Sequence, residues 1–408
     1  MRLLSRQEFV VATVIALTGP ALGQTLPDGQ GKEVVEAKCN GCHQFFQRVG
    51  NGYTPEGWHT VMRMMVNQGT ALSEEELAVA TDYLIKNFPE KNKAQAALIP
   101  GPAEVTMKVW QVPTPGSRPH DPLAAADGSL WYTGQMANVL GRINPKTGQI
   151  REYPLKTPHG GPHGLVEDKD GNIWYTANAA GLIGKLDPKT GEVTEYPMPD
   201  PAVHDPHTLI FDQKGILWFS AQNANRIGRL DPKTGEIKLV TVPTPGGRPY
   251  GLAVNSKGTP FFVEFGANKV GSIDPQSMEI REYPLPRPNA RPRRIAITSD
   301  DAVWYTDNAQ GYLGRLDPAT GKVTEWLSPS GPKSEPYGIS AINDVIWYSE
   351  SGAKPNTVVR FDPKTEKFQT WALPSGGNIV RNTSVTQDGN LVLANSLMNE
   401  VTLVEVKH

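Results

Sequence analysis

Both cysteines of this 408-residue chain lie in one pentapeptide, Cys39-Asn40-Gly41-Cys42-His43. Two thiols separated by two residues can add across the two vinyl groups of a porphyrin, and the residue that follows carries an imidazole able to reach the iron. The spacing therefore predicts covalent attachment of one haem c and one-electron chemistry. A zinc site built on the same pair needs further ligands at similar spacing, and there is no second cysteine pair. A dithiol redox motif has no need of His43.

The iron needs a sixth ligand, for which Met62, Met64, Met65 and His59 are the candidates. Trp58, Met62, Met65 and Gly69 recur at i, i+4, i+7 and i+11 and so share a helical face, from which Met64 turns away. The run of tryptophan, methionine seven residues later and then glycine resembles one in small cytochrome domains of periplasmic oxidoreductases. That resemblance implies Met65 as the ligand in a class I-type monohaem cytochrome c domain. A thioether ligand raises the reduction potential, which suits an electron acceptor or relay.

Short helices must hold these groups. One is expected over Lys32 to Lys38. A second begins at Thr54-Pro55-Glu56, with Thr54 as N-cap and proline at the first helical position. A third begins at Ser73, which forms a capping box with Glu76, and runs through Leu77, Ala80, Tyr83 and Leu84 to Phe88. So small an all-α domain, residues 24–92, has little core of its own, and a haem would supply the missing apolar volume. Ahead of it, Arg2 and Arg6 precede an apolar run, Phe9 to Leu17, and a small-x-small site at Ala21-Leu22-Gly23. This reads as a signal peptide over residues 1–23 and places the protein in a periplasm. The run is too short to be a membrane span. Residues 93–103, with Pro100-Gly101-Pro102, lack a hydrophobic period and read as a linker.

The formal net charge of -2 argues against nucleic acid or an anionic membrane as partner. The 40 glycines and 36 prolines are periodic and mark turns. Aromatic pairs at Trp131-Tyr132, Trp174-Tyr175, Trp218-Phe219, Phe261-Phe262, Trp304-Tyr305 and Trp347-Tyr348, with a degenerate Val392-Leu393, are spaced by 43, 44, 43, 43, 43 and 45 residues. Each repeat has an apolar strand, the aromatic strand, an Ile-Gly-Arg-Leu-like strand, and an Asp-Pro-Lys-Thr-Gly turn leading to Glu-Val-Thr-Glu-Tyr-Pro. Four short strands per repeat predict propeller blades, seven by count. The seventh repeat ends after its third strand, and residues 104–110 match a fourth. That early strand is expected to close the ring and remove its exposed edges. The fold class is thus multidomain: a small all-α cytochrome c domain followed by an all-β seven-bladed propeller over residues 104–408.

The repeats resemble the streptogramin B (virginiamycin B) lyase family across residues 104–408, through Trp-aromatic-Thr, Asn-x-Ile-Gly-Arg, Glu-Tyr-Pro-Leu-Pro and Arg-Pro-x-Gly-Ile. The resemblance implies elimination at the ester of a cyclic depsipeptide, with a histidine base and a divalent metal held by carboxylates. The family's Glu-Pro-His and Arg-Pro-His stand here as Glu335-Pro336-Tyr337 and Arg291-Pro292-Arg293. A phenol and a guanidinium both stay protonated near neutral pH, so the base is missing, while Glu335 could still hold a cation.

The residue after the first proline of each repeat should rim the central channel: His120, His163, His207, Tyr250, Arg293, Tyr337 and Arg381. Three residues beyond the strand aromatic, blades 4 to 6 carry Glu264, Asp307 and Glu350, expected to face the imidazoles and able with them to bind a divalent metal or do acid-base work. His120, His163, His207 and Tyr337 are the catalytic candidates. His43 and Met65, and in the propeller Glu264, Asp307, Glu335 and Glu350, are the metal candidates. Arg142, Lys185, Arg229 and Arg315 recur at one position of the repeat and read as blade packing.

Three functions are compatible with these residues. The favoured one is a periplasmic electron-transfer protein whose haem accepts electrons from a small-molecule donor or a redox partner protein at the channel. The others are a streptogramin-type lyase with an accessory cytochrome, and a non-catalytic propeller that docks the cytochrome on a dehydrogenase or oxidase.

Overall fold

The computed structural model describes residues 25–39, 43 and 45–407. The expected signal peptide, residues 1–23, and Cys42 lie outside the described residues. Four helices come first: α1 (Lys32–Cys39), α2 (Phe45–Val49), α3 (Pro55–Asn67) and α4 (Glu74–Asn87). The sequence predicts three; α2 is the addition, five residues long and too short to show a period. Thr54 caps α3 by accepting from the Gly57 amide at 3.1 Å. Ser73 and Glu76 form the expected capping box on α4. The apolar faces meet in one cluster around Val35, Phe45, Trp58, Met62, Leu77, Ala80, Tyr83 and Leu84. No helix among the described residues is long and apolar enough to cross a membrane.

Residues 93–103 are not a loose tether. Ala94–Gln95 pairs in parallel with Ala353–Lys354. Ile99 exchanges hydrogen bonds with Thr370, its amide donating to Oγ1 at 2.7 Å and its carbonyl accepting from the Thr370 amide at 2.9 Å. Gln369 then brackets Ala103 from both sides. The linker expectation missed this because the partners are supplied from some 260 residues away.

Seven four-stranded antiparallel sheets follow. Blades 1 to 6 span residues 119–154, 162–197, 206–241, 249–284, 292–327 and 336–372, and blade 7 joins 380–407 to Glu104–Gln111. The closing strand pairs along its whole length, from Glu104 opposite Lys407 to Gln111 opposite Glu400. The first strand of each blade contacts those of its two neighbours, blade 7 contacting blade 1, so the ring is shut.

Two repeated devices explain the sequence pattern. In blades 1 to 5 the second aromatic of the pair lies across from the glycine of the next strand. A Cβ on Gly141 would fall 1.9 Å from the Tyr132 ring, and Gly184, Gly228, Gly271 and Gly314 face Tyr175, Phe219, Phe262 and Tyr305 in the same way. The ring therefore needs glycine beneath it. The first aromatic is covered by the recurrent cation: Arg142, Lys185, Arg229 and Arg315 sit 5.9, 5.6, 5.7 and 6.0 Å from the centres of Trp131, Trp174, Trp218 and Trp304, which makes them packing residues.

In blades 1, 2, 3 and 5 a hydroxyl on the second strand ties the blade to the next. Thr133 donates to the His163 carbonyl at 2.8 Å, Thr176 to that of His207 at 2.7 Å, Ser220 to that of Tyr250 at 2.7 Å and Thr306 to that of Tyr337 at 2.7 Å. The same oxygens accept from their own innermost strand, as Thr176 does from the Gly164 amide at 2.9 Å. The carbonyls held this way belong to the channel-rim residues.

Candidate functional site

Every innermost strand shifts register between its first and fourth residues. A bulge there re-aims the second residue, and it turns that side chain into the channel. The rim positions read from the sequence therefore do converge. His120, His163 and His207 stand ring beside ring, with centroids 3.7 Å apart at each step, and Tyr250 continues the arc 4.0 Å beyond His207. Tyr250 and Tyr337 share a hydrogen bond between their hydroxyls, and Arg293 donates to the Tyr337 oxygen at 3.2 Å.

The three histidines, Tyr250 and Arg293 line a cup of about 360 Å³ at the channel mouth, together with Arg118, Arg248, Arg381, Gln135, Asn178, Gln222 and Phe265. Four of the lining residues are arginines and none is a carboxylate. Burial, reinforced by the neighbouring guanidinium groups and by the other imidazoles, pushes the three histidines well below their ordinary range, so they stand neutral. Burial and the adjacent Arg381 lower Arg118 to about 9. Arg293, Arg381 and Arg294 overcome the effect of burial on Tyr337 and bring its phenol down to about 8, while burial and Tyr337 raise Tyr250 to about 12. The phenol that the sequence leaves inert is thus poised close to neutrality.

The floor of the cup is a polar layer that sequence reasoning missed. Arg294 is buried across the channel and donates to Asp121 at 2.7 Å, to Thr208 Oγ1 at 3.0 Å and to the Arg381 carbonyl at 3.1 Å. Asn382 donates to the other Asp121 oxygen at 2.9 Å, and His120 Nδ1 lies 2.9 Å from Asp121 Oδ1. Blades 1, 3, 5 and 7 are joined in this way. A signal was present: the residue after the rim position is glycine in Gly164, Gly251 and Gly338, but Asp121, Thr208, Arg294 and Asn382 elsewhere. Below the layer the channel is lined by apolar side chains such as Leu123, Val166, Ile210, Ala253 and Ile297.

The predicted carboxylates do not face the histidines. Each ends a second strand opposite the proline that opens the innermost strand, beneath a loop of its own blade. Glu350 accepts from Ser328, Ser330 and Thr357, and Asp307 accepts from the Arg291 and Ala309 amides. Glu264 is buried against Glu282, which with burial pushes it up to about 8, so it is protonated. Glu335 is exposed. Among the described residues the one trio whose ligand atoms converge is His120, Asp121 and His163. Asp121 is already bound to Arg294, and Arg118 and Arg381 stand close by, so this trio does not fit a divalent cation. His159 and His204 are exposed on loops.

The helices dock on the end of the propeller where the cup opens, over blades 6, 7 and 1. Asn67 donates to the Pro115 and Gly116 carbonyls at 3.0 and 3.2 Å, Gln68 to the Met136 carbonyl at 3.1 Å, and Lys93 to the Ser351 carbonyl at 3.0 Å. Lys354 pairs with Glu90. Within the helical unit Cys39 packs half-buried against the apolar cluster, and His43 keeps a buried Nδ1 without a partner among the described residues. Met62 is core, Met64 is buried with its backbone under Gly116, and Met65 is half-buried outside the cluster.

Residues 92–354 match the model of the virginiamycin B lyase family. The chain belongs to that family. A streptogramin B lyase structure is 28% identical with a TM-score of 0.68, covering 74% of this chain and 98% of its own. Virginiamycin B lyase from Staphylococcus aureus is 26% identical with a TM-score of 0.68, covering 74% and 99%. A catalytically inactive variant of the same enzyme with quinupristin is 25% identical with a TM-score of 0.67, covering 74% and 99%. No curated protein matches the chain. For this member of the virginiamycin B lyase family, the seven-bladed ring is the shared part. Arg293 lines the cup, and Tyr337 is hydrogen-bonded to Arg293 and to Tyr250.

Proposed function

We propose that this member of the virginiamycin B lyase family is an exported haem c redox protein, exchanging single electrons with a donor at the channel mouth or with a partner protein. The observation that carries the reading is the Cys39-x-x-Cys42-His43 motif on a helical unit seated at the end of the propeller where the cup opens. Cys39 and Cys42 would hold the haem through thioethers, with His43 and Met65 as ligands to the iron. When bound, haem c supplies reversible one-electron chemistry. The surroundings fit it: the His43 Nδ1 atom is buried without a partner among the described residues, Cys39 borders an apolar cluster, and Met65 is the methionine of its helix that neither the core nor the propeller contact uses.

The test is the alkaline pyridine haemochrome spectrum of full-length protein made in cells that mature c-type cytochromes. The expected result is one haem per chain that resists acid-acetone extraction and is lost in Cys39→Ser/Cys42→Ser. Met65→Leu should keep the haem and lose the methionine-iron charge-transfer band. A colourless protein from cells that mature a control cytochrome would end the reading.

A second reading is favoured by one observation, the lowered phenol of Tyr337. As phenolate, Tyr337 could abstract a proton in an ester elimination where the family's motif carries histidine. Linearisation of a streptogramin B depsipeptide should then rise with pH through about 8 and vanish in Tyr337→Phe.

A further inference from the structure

The cup collects cations that the fold leaves without counter-charge. Arg118, Arg248, Arg293 and Arg381 line it, and the Nε atom of each is buried with no hydrogen-bond partner. None of the four forms an ion pair among the described residues, and the one carboxylate of the floor, Asp121, is taken by Arg294. Arg118 lies beside Arg381, and the contacts of the other two are with neutral groups. Arg293 lies 4.1 Å from the Phe265 ring centre and 5.0 Å from that of Tyr337, and Arg248 reaches Asn223 at 3.0 Å. His163, 4% exposed and also lining the cup, keeps Nδ1 without a partner. Buried like charges without an acid are costly, whereas the same groups around an anion form charge-assisted hydrogen bonds. A concave wall of one sign concentrates counter-ions even though the chain as a whole carries -2.

We propose that the cup is a binding site for a small anion presenting an oxyanion head, a carboxylate or an inorganic equivalent, to Arg118, Arg248, Arg293 and Arg381, with the His163 ring and the Tyr250–Tyr337 pair beside it. The volume of about 360 Å³ admits a molecule of a few to a dozen heavy atoms. Phe265 offers an aromatic wall to an organic body. The site does not depend on haem: the haemochrome spectrum reads Cys39 and Cys42, and anion titration reads the arginines.

The experiment is isothermal titration of full-length protein in low-salt buffer with acetate, oxalate, benzoate, sulfate and phosphate, for the wild type and Arg118→Gln/Arg381→Gln. Saturable binding of one anion per chain is expected, weakened at least tenfold in the double variant. Benzoate above acetate assigns an organic carboxylate, and sulfate or phosphate above all carboxylates assigns an inorganic oxyanion. Thermal melting without added anion supplies the second readout. The double variant has lost two unpaired like charges and is expected to melt no lower than the wild type. Absence of saturable binding by any of the five, undiminished affinity in the variant, or a variant melting well below the wild type overturns the proposal.

Discussion

Tyr337 shows how a residue's chemistry is set by what surrounds it. Its phenol is buried, which alone would raise its pKa, yet Arg293, Arg381 and Arg294 outweigh burial, helped by the hydrogen bond shared with Tyr250. The sign of the linkage follows. A phenol that falls to about 8 in the folded protein from an ordinary 10 adds stability only as pH rises from 8 towards 10, and nothing at neutral pH. Ultraviolet difference titration should therefore show one tyrosine ionising near pH 8, absent in Tyr337→Phe and moved upward in Arg293→Gln. A first tyrosine step near 10 in the wild type would mean that the arginines do not act on this phenol.

Among the elements, the innermost and second strands form the mechanical unit. Thr176 holds the His207 carbonyl at 2.7 Å and the Gly164 amide at 2.9 Å, so one hydroxyl links two blades and sets a rim residue at the same time. Replacing it with valine keeps the shape and leaves two buried backbone groups unpaired, at a cost of about 1–3 kcal/mol. Thr176→Val should lower the unfolding free energy read from urea titration by that amount, and with it the midpoint, while Thr176→Ser stays within a few tenths of a kcal/mol of the wild type. Equal midpoints for the valine variant and the wild type would remove the latch from the account. The rim positions were legible in the sequence because one bulge recurs in every repeat, so a single alignment locates them all. Glu264, Asp307 and Glu350 were misplaced because their register against the following loop, which decides where they point, is a property of the paired strands.

For the whole molecule, the consequential fact is that the helices and the cup occupy the same end of the ring. The seat is tight at Gly116, where φ is 70° and a Cβ would fall 2.6 Å from the Met64 amide nitrogen on α3. Gly116→Val should wedge the helices off the propeller without touching either core. The expected outcome is a single calorimetric transition splitting in two and faster proteolysis across residues 93–103, with the propeller still folded. One unchanged transition in that variant would show that the contact does not couple the two units.

The chain by itself determined what is local or periodic. The Cys39-to-His43 spacing, the caps at Thr54 and Ser73, the seven repeats and the closing strand all follow from rules that act over a few residues or recur at a fixed interval. Only the tertiary structure decided what depends on residues brought together from distant blades. Arg294 reaches Asp121, 173 positions away, and Arg118 comes to lie beside Arg381 without an acid between them. Charge balance inside a closed ring is a property of the assembled channel, because the energy of a buried ion depends on every neighbour within a few ångströms and not on its place in the repeat.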